Sequence, residues 1–303
     1  MKKILVSISL FAALGASLSA GDGAGSVAMP FAEIPRNAAA LGEGGVHLAG
    51  SSSSLAYGAF ENIAALPFTT SKVDVGGGYE MWAPKQSNEK FINFGAGVHF
   101  GKFAASVAGS LGNNEPYTEY REGGFEGSKF TPKDMHIAFG AAYGITKNIG
   151  LGVSGKYLSN TLSSAAAYSA FGVDVMAFGS FGPVNVGAGV RNIGSKVKSY
   201  SGDEFSIPTA ASVGVAYASA FGLGAELDAD YVFAAGPDIS AGAHYCWNDM
   251  LTVRAGYHVG AVLPSFLSLG LGAKFFGVYV DAAYLVSPAV PSGTLCISAG
   301  YRF

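Results

Sequence analysis

The sequence predicts an all-β fold, a transmembrane antiparallel β-barrel of about fourteen strands with an N-terminal plug segment. Three observations carry that expectation. The 303-residue chain is 50% hydrophobic, with a mean hydropathy of +0.33 and 13% charged residues. Yet no apolar run beyond residue 20 approaches the roughly 18 residues that a spanning helix needs, and a lipid-embedded chain without such helices must close its backbone hydrogen bonds in a barrel. Second, segments of about ten residues alternate apolar with polar or small side chains, the period of a strand with one face in lipid. Third, the connections between segments alternate short and long, as periplasmic turns and outer loops do.

Residues 1–20 read as a secretory signal peptide. Lys2 and Lys3 precede an apolar run from Ile4 to Ala16, followed by the small residues Ser17, Ser19 and Ala20. No Cys stands there, which argues against a lipoprotein. Residues 21–70 lack sustained alternation and are expected to form a plug or hatch. They contain Pro30, Pro35, a short helix signal around Arg36–Leu41, a Gly-rich step at Gly42–Gly45 and the serine run Ser51–Ser54.

Residues 71–303 form the expected barrel. Alternating segments fall at 72–83, 89–100, 103–111, 133–144, 149–159, 168–180, 183–192, 207–218, 222–233, 238–247, 251–259, 265–276, 277–286 and 294–303. Short connections such as Gly101-Lys102, Phe181-Gly182, Asn248-Asp249 and Phe276-Gly277 contrast with the long ones at 112–132, 160–167 and 193–206. Both termini then lie on the periplasmic side of the outer membrane of a Gram-negative bacterium. Facing is clear where charge is present: Leu223, Ala225, Leu227, Ala229 and Tyr231 oppose Gly224, Glu226, Asp228 and Asp230. A charge on the lipid face near the midplane costs about 2–4 kcal/mol, so the acidic face looks into the lumen. Tyr157, Tyr231 and Tyr257 then form an outer aromatic belt, and Tyr143, Trp247, Phe275 and Tyr301 a periplasmic one. The last segment ends on Tyr301 and Phe303, the aromatic strand end expected to act as the assembly signal.

The formal net charge of −3 argues against a nucleic-acid partner. Cys246 and Cys296 both point inward on non-adjacent strands; they are compatible with a disulfide but read more simply as two small core residues. Glu226, Asp228 and Asp230 could line a cation path or an acid pair; paired with Arg254, Lys274, Arg191 or Arg36 they would instead be structural. His47, His99, His136, His244 and His258 lack metal-ligand spacing. No Ser/His/Asp set is placed by spacing, and the glycine stretches lack a phosphate-loop lysine. The chain is therefore expected to be no enzyme, with neither cofactor nor metal. Loop 112–132 carries Tyr117, Tyr120, Phe125 and Phe130 among Glu115, Glu119, Glu122 and Glu126, which suits a contact with a partner or a fold over the barrel mouth.

The plug segment also carries a motif. Phe31-Ala-Glu-Ile-Pro-Arg-Asn-Ala-Ala-Ala-Leu-Gly-Glu-Gly-Gly45 followed by Tyr57-Gly-Ala-Phe-Glu-Asn-Ile-Ala-Ala-Leu-Pro-Phe68 resembles the start of the PorV/PorQ family. That family belongs to the wider group of FadL-like fourteen-stranded barrels. Asn62-Ile-Ala-Ala-Leu66 stands where the family reads Asn-Pro-Ala-Gly-Leu. The resemblance implies an accessory of type IX protein secretion in Bacteroidota that binds secreted cargo or the secretion machinery, with Arg36 and Asn62 in the plug network. The alternative is a FadL-like transporter passing hydrophobic small molecules through a plugged barrel toward a lateral opening.

Overall fold

The computed structural model describes residues 25–50, 54–120, 124, 126–199, 201–287 and 291–303; the expected signal peptide and Phe125 lie outside them. In chain order the strands are β1 (Val73–Trp82), β2 (Glu89–Phe100), β3 (Phe103–Asn113), β4 (Tyr117–Tyr120), β5 (Glu126–Phe130) and β6 (Lys133–Gly144). There follow β7 (Ile149–Ser163), β8 (Ala166–Phe181), β9 (Val184–Gly194), β10 (Lys196–Lys198), β11 (Glu204–Ser206) and β12 (Ala210–Ala218). The remainder are β13 (Leu223–Val232), β14 (Gly236–Trp247), β15 (Leu251–Val259), β16 (Phe266–Phe275), β17 (Val278–Val286) and β18 (Leu295–Arg302). Fourteen of them close an antiparallel barrel, each paired with its neighbours in sequence once two loop hairpins, β4–β5 and β10–β11, are set aside. No helix among the described residues is long and apolar enough to cross a membrane.

The period-two pattern fixes which face meets lipid. Along β13, Leu223, Leu227 and Tyr231 are exposed on the outer surface while Glu226, Asp228 and Asp230 are buried. Leu269 and Leu271 are likewise exposed against buried Ser268 on β16. Short turns gather at one end, called here the turn end. Two of them put consecutive residues at positive φ: Asn248 and Asp249 (51° and 56°), and Phe276 and Gly277 (48° and 83°). Such turns match the right-handed twist of the flanking strands. Tyr143, Trp247, Phe275 and Tyr301 ring this end on the outer surface. The seam closes here too, because the Phe303 carbonyl accepts from the Lys72 and Val73 amides (2.7 and 2.8 Å).

The segment before β1 lies against the inner face of the wall. It holds a 3₁₀ turn (Pro30–Glu33), helix α1 (Ala38–Gly42) and a second 3₁₀ turn (Ile63–Phe68). Helix α1 contacts β15 to β18, and the second turn contacts β3 and β6 to β8. Leu41, Leu48, Leu55, Ile63 and Leu66 are fully buried in that contact. Close approach explains the inward glycines. A Cβ at Gly187 would collide with the Leu48 carbonyl, and one at Gly256 with the Glu43–Gly44 peptide.

Two expectations need adjustment. The long loop 112–132 is in part regular, since β4 and β5 pair with each other above the wall. The expected strand 207–218 starts later, at Ala210, because Pro208 has no amide to donate to a ladder.

Candidate functional site

The N-terminal segment is irregular, so its backbone amides need partners that a helix or sheet would otherwise supply. The acidic ladder supplies them. Asp228 accepts from the His47 amide (2.7 Å) and the Leu48 amide (3.1 Å), and Glu226 accepts from the Leu48 and Ala49 amides (3.1 and 2.6 Å). Further along, the Ser298 hydroxyl accepts from the Ala38 amide and the Ser268 hydroxyl from the Gly44 amide. Asn62 serves twice. Its Oδ1 accepts from the Ala64 amide, starting the second 3₁₀ turn, while its Nδ2 donates to the Leu48 carbonyl (2.7 Å) and the wall carbonyl of Ala177 (3.1 Å). Ile63 lies against Gly140 and Gly152, where a proline would leave the space unfilled.

Ion pairs join the same surfaces. Arg36 reaches Glu80 (3.2 Å), donates to the Phe31 carbonyl and lies over the Phe91 ring at 3.9 Å. Glu43 is held by Arg254 (3.2 Å) and His244 (3.1 Å), and Arg254 also meets Asp281 at 2.7 Å. A third set depends on an irregularity of the wall. Between Val173 and Val175 the β8–β9 register shifts, so that Asp174 faces two residues of β9, Arg191 and Asn192. Asn192 takes φ of 53°, and both side chains are buried rather than alternating, as a bulge requires. Arg191 then bridges Glu33 (3.0 Å) and Asp230 (2.9 Å), Asn192 donates to Glu33 (2.8 Å), and Lys156 pairs with Asp174 (2.7 Å).

The ladder with β12 ends at this bulge. Its last pair is Arg191 with Ala210; beyond it, β9 and the 207–209 stretch are joined through Asn192 Nδ2 to the Pro208 carbonyl and Thr209 Oγ1 to the Asn192 carbonyl. Ile207 covers the interruption from within, packed beside Gly172 and Gly194. It belongs to an apolar cluster at the loop end that includes Phe31, Phe91, Leu158, Phe266 and Leu285. At the turn end the lumen opens as a polar vestibule of about 350 Å³ lined by Arg254, Lys274, Asp281 and Arg302 among others.

Of the residues singled out from sequence, Asn62, Glu226, Asp228, Asp230 and Arg254 bind the N-terminal segment or each other's partners as described. Arg36 does not reach the ladder; its partner is Glu80, on the opposite side of its own segment, and Arg191 takes the place beside Asp230. Tyr117 donates to the Leu162 carbonyl and Glu119 accepts from Ser164, so this hairpin is tied to the β7–β8 turn. Tyr120 stays exposed, and Phe130 packs edge-on to Tyr117. Both cysteines are free. His244 and His258 are not joined, each having its own partner in Glu43 and Ser240. Glu33 and Asn192 escaped the sequence reading. The adjacent polar pair Arg191-Asn192, out of step with alternation, was the available signal.

No family model and no curated protein matches the chain. Solved structures do. The Ralstonia pickettii toluene transporter TbuX superposes with a TM-score of 0.66 over 90% of this chain and 100% of its own, at 12% identity. The CymD monoaromatic hydrocarbon channel gives 0.65 over 89% and 97%, at 14% identity. A Pseudomonas aeruginosa FadL homologue gives 0.56 over 88% and 98%, at 13% identity. At such identities the likeness is one of fold. The PorV/PorQ resemblance gains no support from these comparisons, whereas the FadL-like barrel does.

Proposed function

We propose that the protein is a non-enzymatic outer-membrane channel for small hydrophobic molecules, with residues 25–70 acting as a plug that stays in place. The observation that carries this reading is the apolar cluster at the loop end. Barrel lumens are ordinarily polar, yet here Phe91, Leu158, Phe266 and Leu285 bury themselves inside the wall. The cluster borders a place where a wall ladder stops short, at Asn192 and Pro208, with Ile207 packed against Gly172 and Gly194 there. A hydrophobic solute entering at the loop end would leave sideways past Ile207 rather than cross the charged vestibule below. The relatives in fold, a toluene transporter and a monoaromatic hydrocarbon channel, fit that chemistry. The secretion reading rested on the motif in residues 31–68, with the loop at 112–132 as its contact surface, and Tyr117 and Glu119 of that loop are engaged with the barrel's own rim.

The test is uptake of toluene into vesicles containing the purified protein, compared with protein-free vesicles. Ile207→Ala should speed uptake and Ile207→Trp should slow it. Uptake equal to that of empty vesicles, or indifferent to both substitutions, refutes the route.

A further inference from the structure

We infer that a cavity enclosed between the N-terminal segment and the wall is a binding site for a neutral hydroxyl head group, making phenols and alcohols the preferred permeants. The inference rests on the channel reading and narrows its substrate class.

The cavity measures about 60 Å³ and is lined by His47, Tyr57 and Glu61 from the N-terminal segment and by His136 and His258 from the wall. All five of these side chains present buried polar atoms that have no hydrogen-bond partner in the protein: His47 Nε2, the Tyr57 hydroxyl, Glu61 Oε2, both ring nitrogens of His136 and His258 Nε2. Tyr57 and His136 are only 1% and 2% exposed. Buried polar groups are nearly always bonded, so their convergence on one cavity marks where the polar atoms of a guest belong.

The protonation states define that guest. His47 Nδ1 lies 3.1 Å from the Gly45 carbonyl, which can only accept, so the proton sits on Nδ1. Burial, and then Arg191, lowers the pKa of this ring and keeps it neutral, which leaves Nε2 as an acceptor. Burial raises the Tyr57 phenol above its ordinary value, so it remains a donor. Burial likewise pushes Glu61 up to about 8 against the opposing bond from Asn37, so its carboxyl is protonated at neutral pH. An acceptor and a donor lining one cavity suit a hydroxyl, which is both.

Charged heads fit poorly. The two cations facing the cavity are occupied, Arg191 by Glu33 and Asp230 and Arg36 by Glu80. Asp238, which accepts from the Ala261 amide, places another carboxyl group there. A carboxylate would therefore meet acids and no free cation, while an ammonium would sit against two guanidinium groups. Aromatic faces complete the lining: Phe60 and His136 lie with ring centres 4.4 Å apart, and His258 stacks on Phe266 at 4.9 Å. A cavity that holds a whole benzene ring is about 150 Å³. This one takes the head alone, and the body of the guest extends along Ile34, Leu263 and Phe266, which belong to the loop-end apolar cluster.

Three compounds of one shape separate the possibilities: p-cresol, toluene and p-toluate. Titration calorimetry on the full-length protein in detergent, corrected against protein-free micelles, gives affinities, and vesicle uptake gives passage. The expected result is p-cresol bound about tenfold more tightly than toluene, the effect of one or two hydrogen bonds, with p-toluate weakest. Tyr57→Phe and His136→Phe should each pull the cresol-to-toluene ratio toward one, and His136→Gln should restore part of it. The gel shift of the heat-modifiable barrel shows which variants assemble, and either variant alone suffices. A ratio near one in the unaltered protein, as for a cavity that holds only water, overturns the inference while toluene uptake leaves the channel reading standing. A ratio that persists in the variants, or a preference for p-toluate, also overturns it. If neither toluene nor p-cresol crosses, both readings fall.

Discussion

Removing Arg191 offers the sharpest test of how the N-terminal segment is held. Arg191 lies 3.0 Å from Glu33 and 2.9 Å from Asp230, with all three side chains only 6–7% exposed. Its Nε also donates to Ser212. Arg191→Leu preserves much of the volume but leaves two carboxylates buried without their cation. Breaking a buried pair in this way costs about 3–5 kcal/mol. An independent bound agrees. Neutralising a carboxyl group of ordinary acidity at pH 7 costs about 4 kcal/mol, from roughly three pKa units at about 1.4 kcal/mol each. The variant has that escape, so the loss should not greatly exceed this range. Glu33→Gln alone should cost about 1 kcal/mol, since the amide can still accept from Arg191. In the double variant one of the two stranded charges is gone, and destabilisation should fall at least about 1 kcal/mol short of the sum. Urea unfolding in detergent, followed by the gel shift of the folded barrel and by protease cleavage within residues 25–70, measures all four proteins. An Arg191→Leu protein within about 0.5 kcal/mol of the unaltered one, or strict additivity in the cycle, would refute the assigned linkage.

Gly256→Val should block docking of the N-terminal segment, because the new side chain would occupy the Glu43–Gly44 backbone; protease protection of residues 25–70 should fall even where the barrel still forms. Leu271→Lys, near the middle of β16 on the lipid face, should cost about 2–4 kcal/mol in lipid, whereas Phe276→Lys at the turn end should cost about 0–1 kcal/mol; equal losses would mean that the membrane level is misplaced. Glu61 supplies a pH dependence. Burial raises it from an ordinary 4.5 to about 8, so the folded chain binds this proton more tightly than the unfolded one. The resulting stability is complete below about 4.5, declines as pH rises and is gone above about 8. Docking of the segment should therefore weaken between about pH 4.5 and 8, and Glu61→Gln should flatten that slope; a slope untouched by the substitution assigns it to another group.

The wall was legible because lipid imposes one rule on every strand. Where that rule weakens, the reading blurred. Strand β7 runs on to Ser163, four residues beyond the last alternating position expected, because its loop-end part no longer has one face in lipid and one in the lumen. Hairpins β4–β5 and β10–β11, of three to five residues a strand, are too short to show sustained alternation and were invisible in the sequence. The plug network was only half legible. Inward acids can be phased from Leu223 to Tyr231, but their partners are backbone amides at His47 to Ala49, and no side-chain pattern announces an amide. Arg36 and Arg191 could not be told apart by sequence, since choosing between them depends on the bulge at Asn192. The short motif at 57–68 drew attention to Asn62, whose hydrogen bonds tie the segment together and to the wall, a packing role that would be the same in any barrel with this segment inside.

Whether such a protein could open by expelling its N-terminal segment is a question of magnitudes. The ion pairs are a weak guide, because both partners would regain water and a buried pair is often close to neutral in net worth. Apolar burial is not neutral. Leu41, Leu48, Leu55, Ile63 and Leu66 are fully buried against the wall and one another, and at about 1.5–3 kcal/mol for each side chain their exposure alone would cost roughly 7–15 kcal/mol. That matches the entire stability of a typical folded domain, about 5–15 kcal/mol. In the channel proposed above, an uncharged solute moving down its gradient would supply no such energy, so expulsion of the segment would not be a working state. On that proposal, passage goes around the segment. In the described wall the ladder stops short beside the apolar cluster, where Gly172 and Gly194 leave Ile207 as the barrier. Moving one aliphatic side chain between rotamers costs far less than undocking five, which favours the sideways route over the axial one for the channel proposed above.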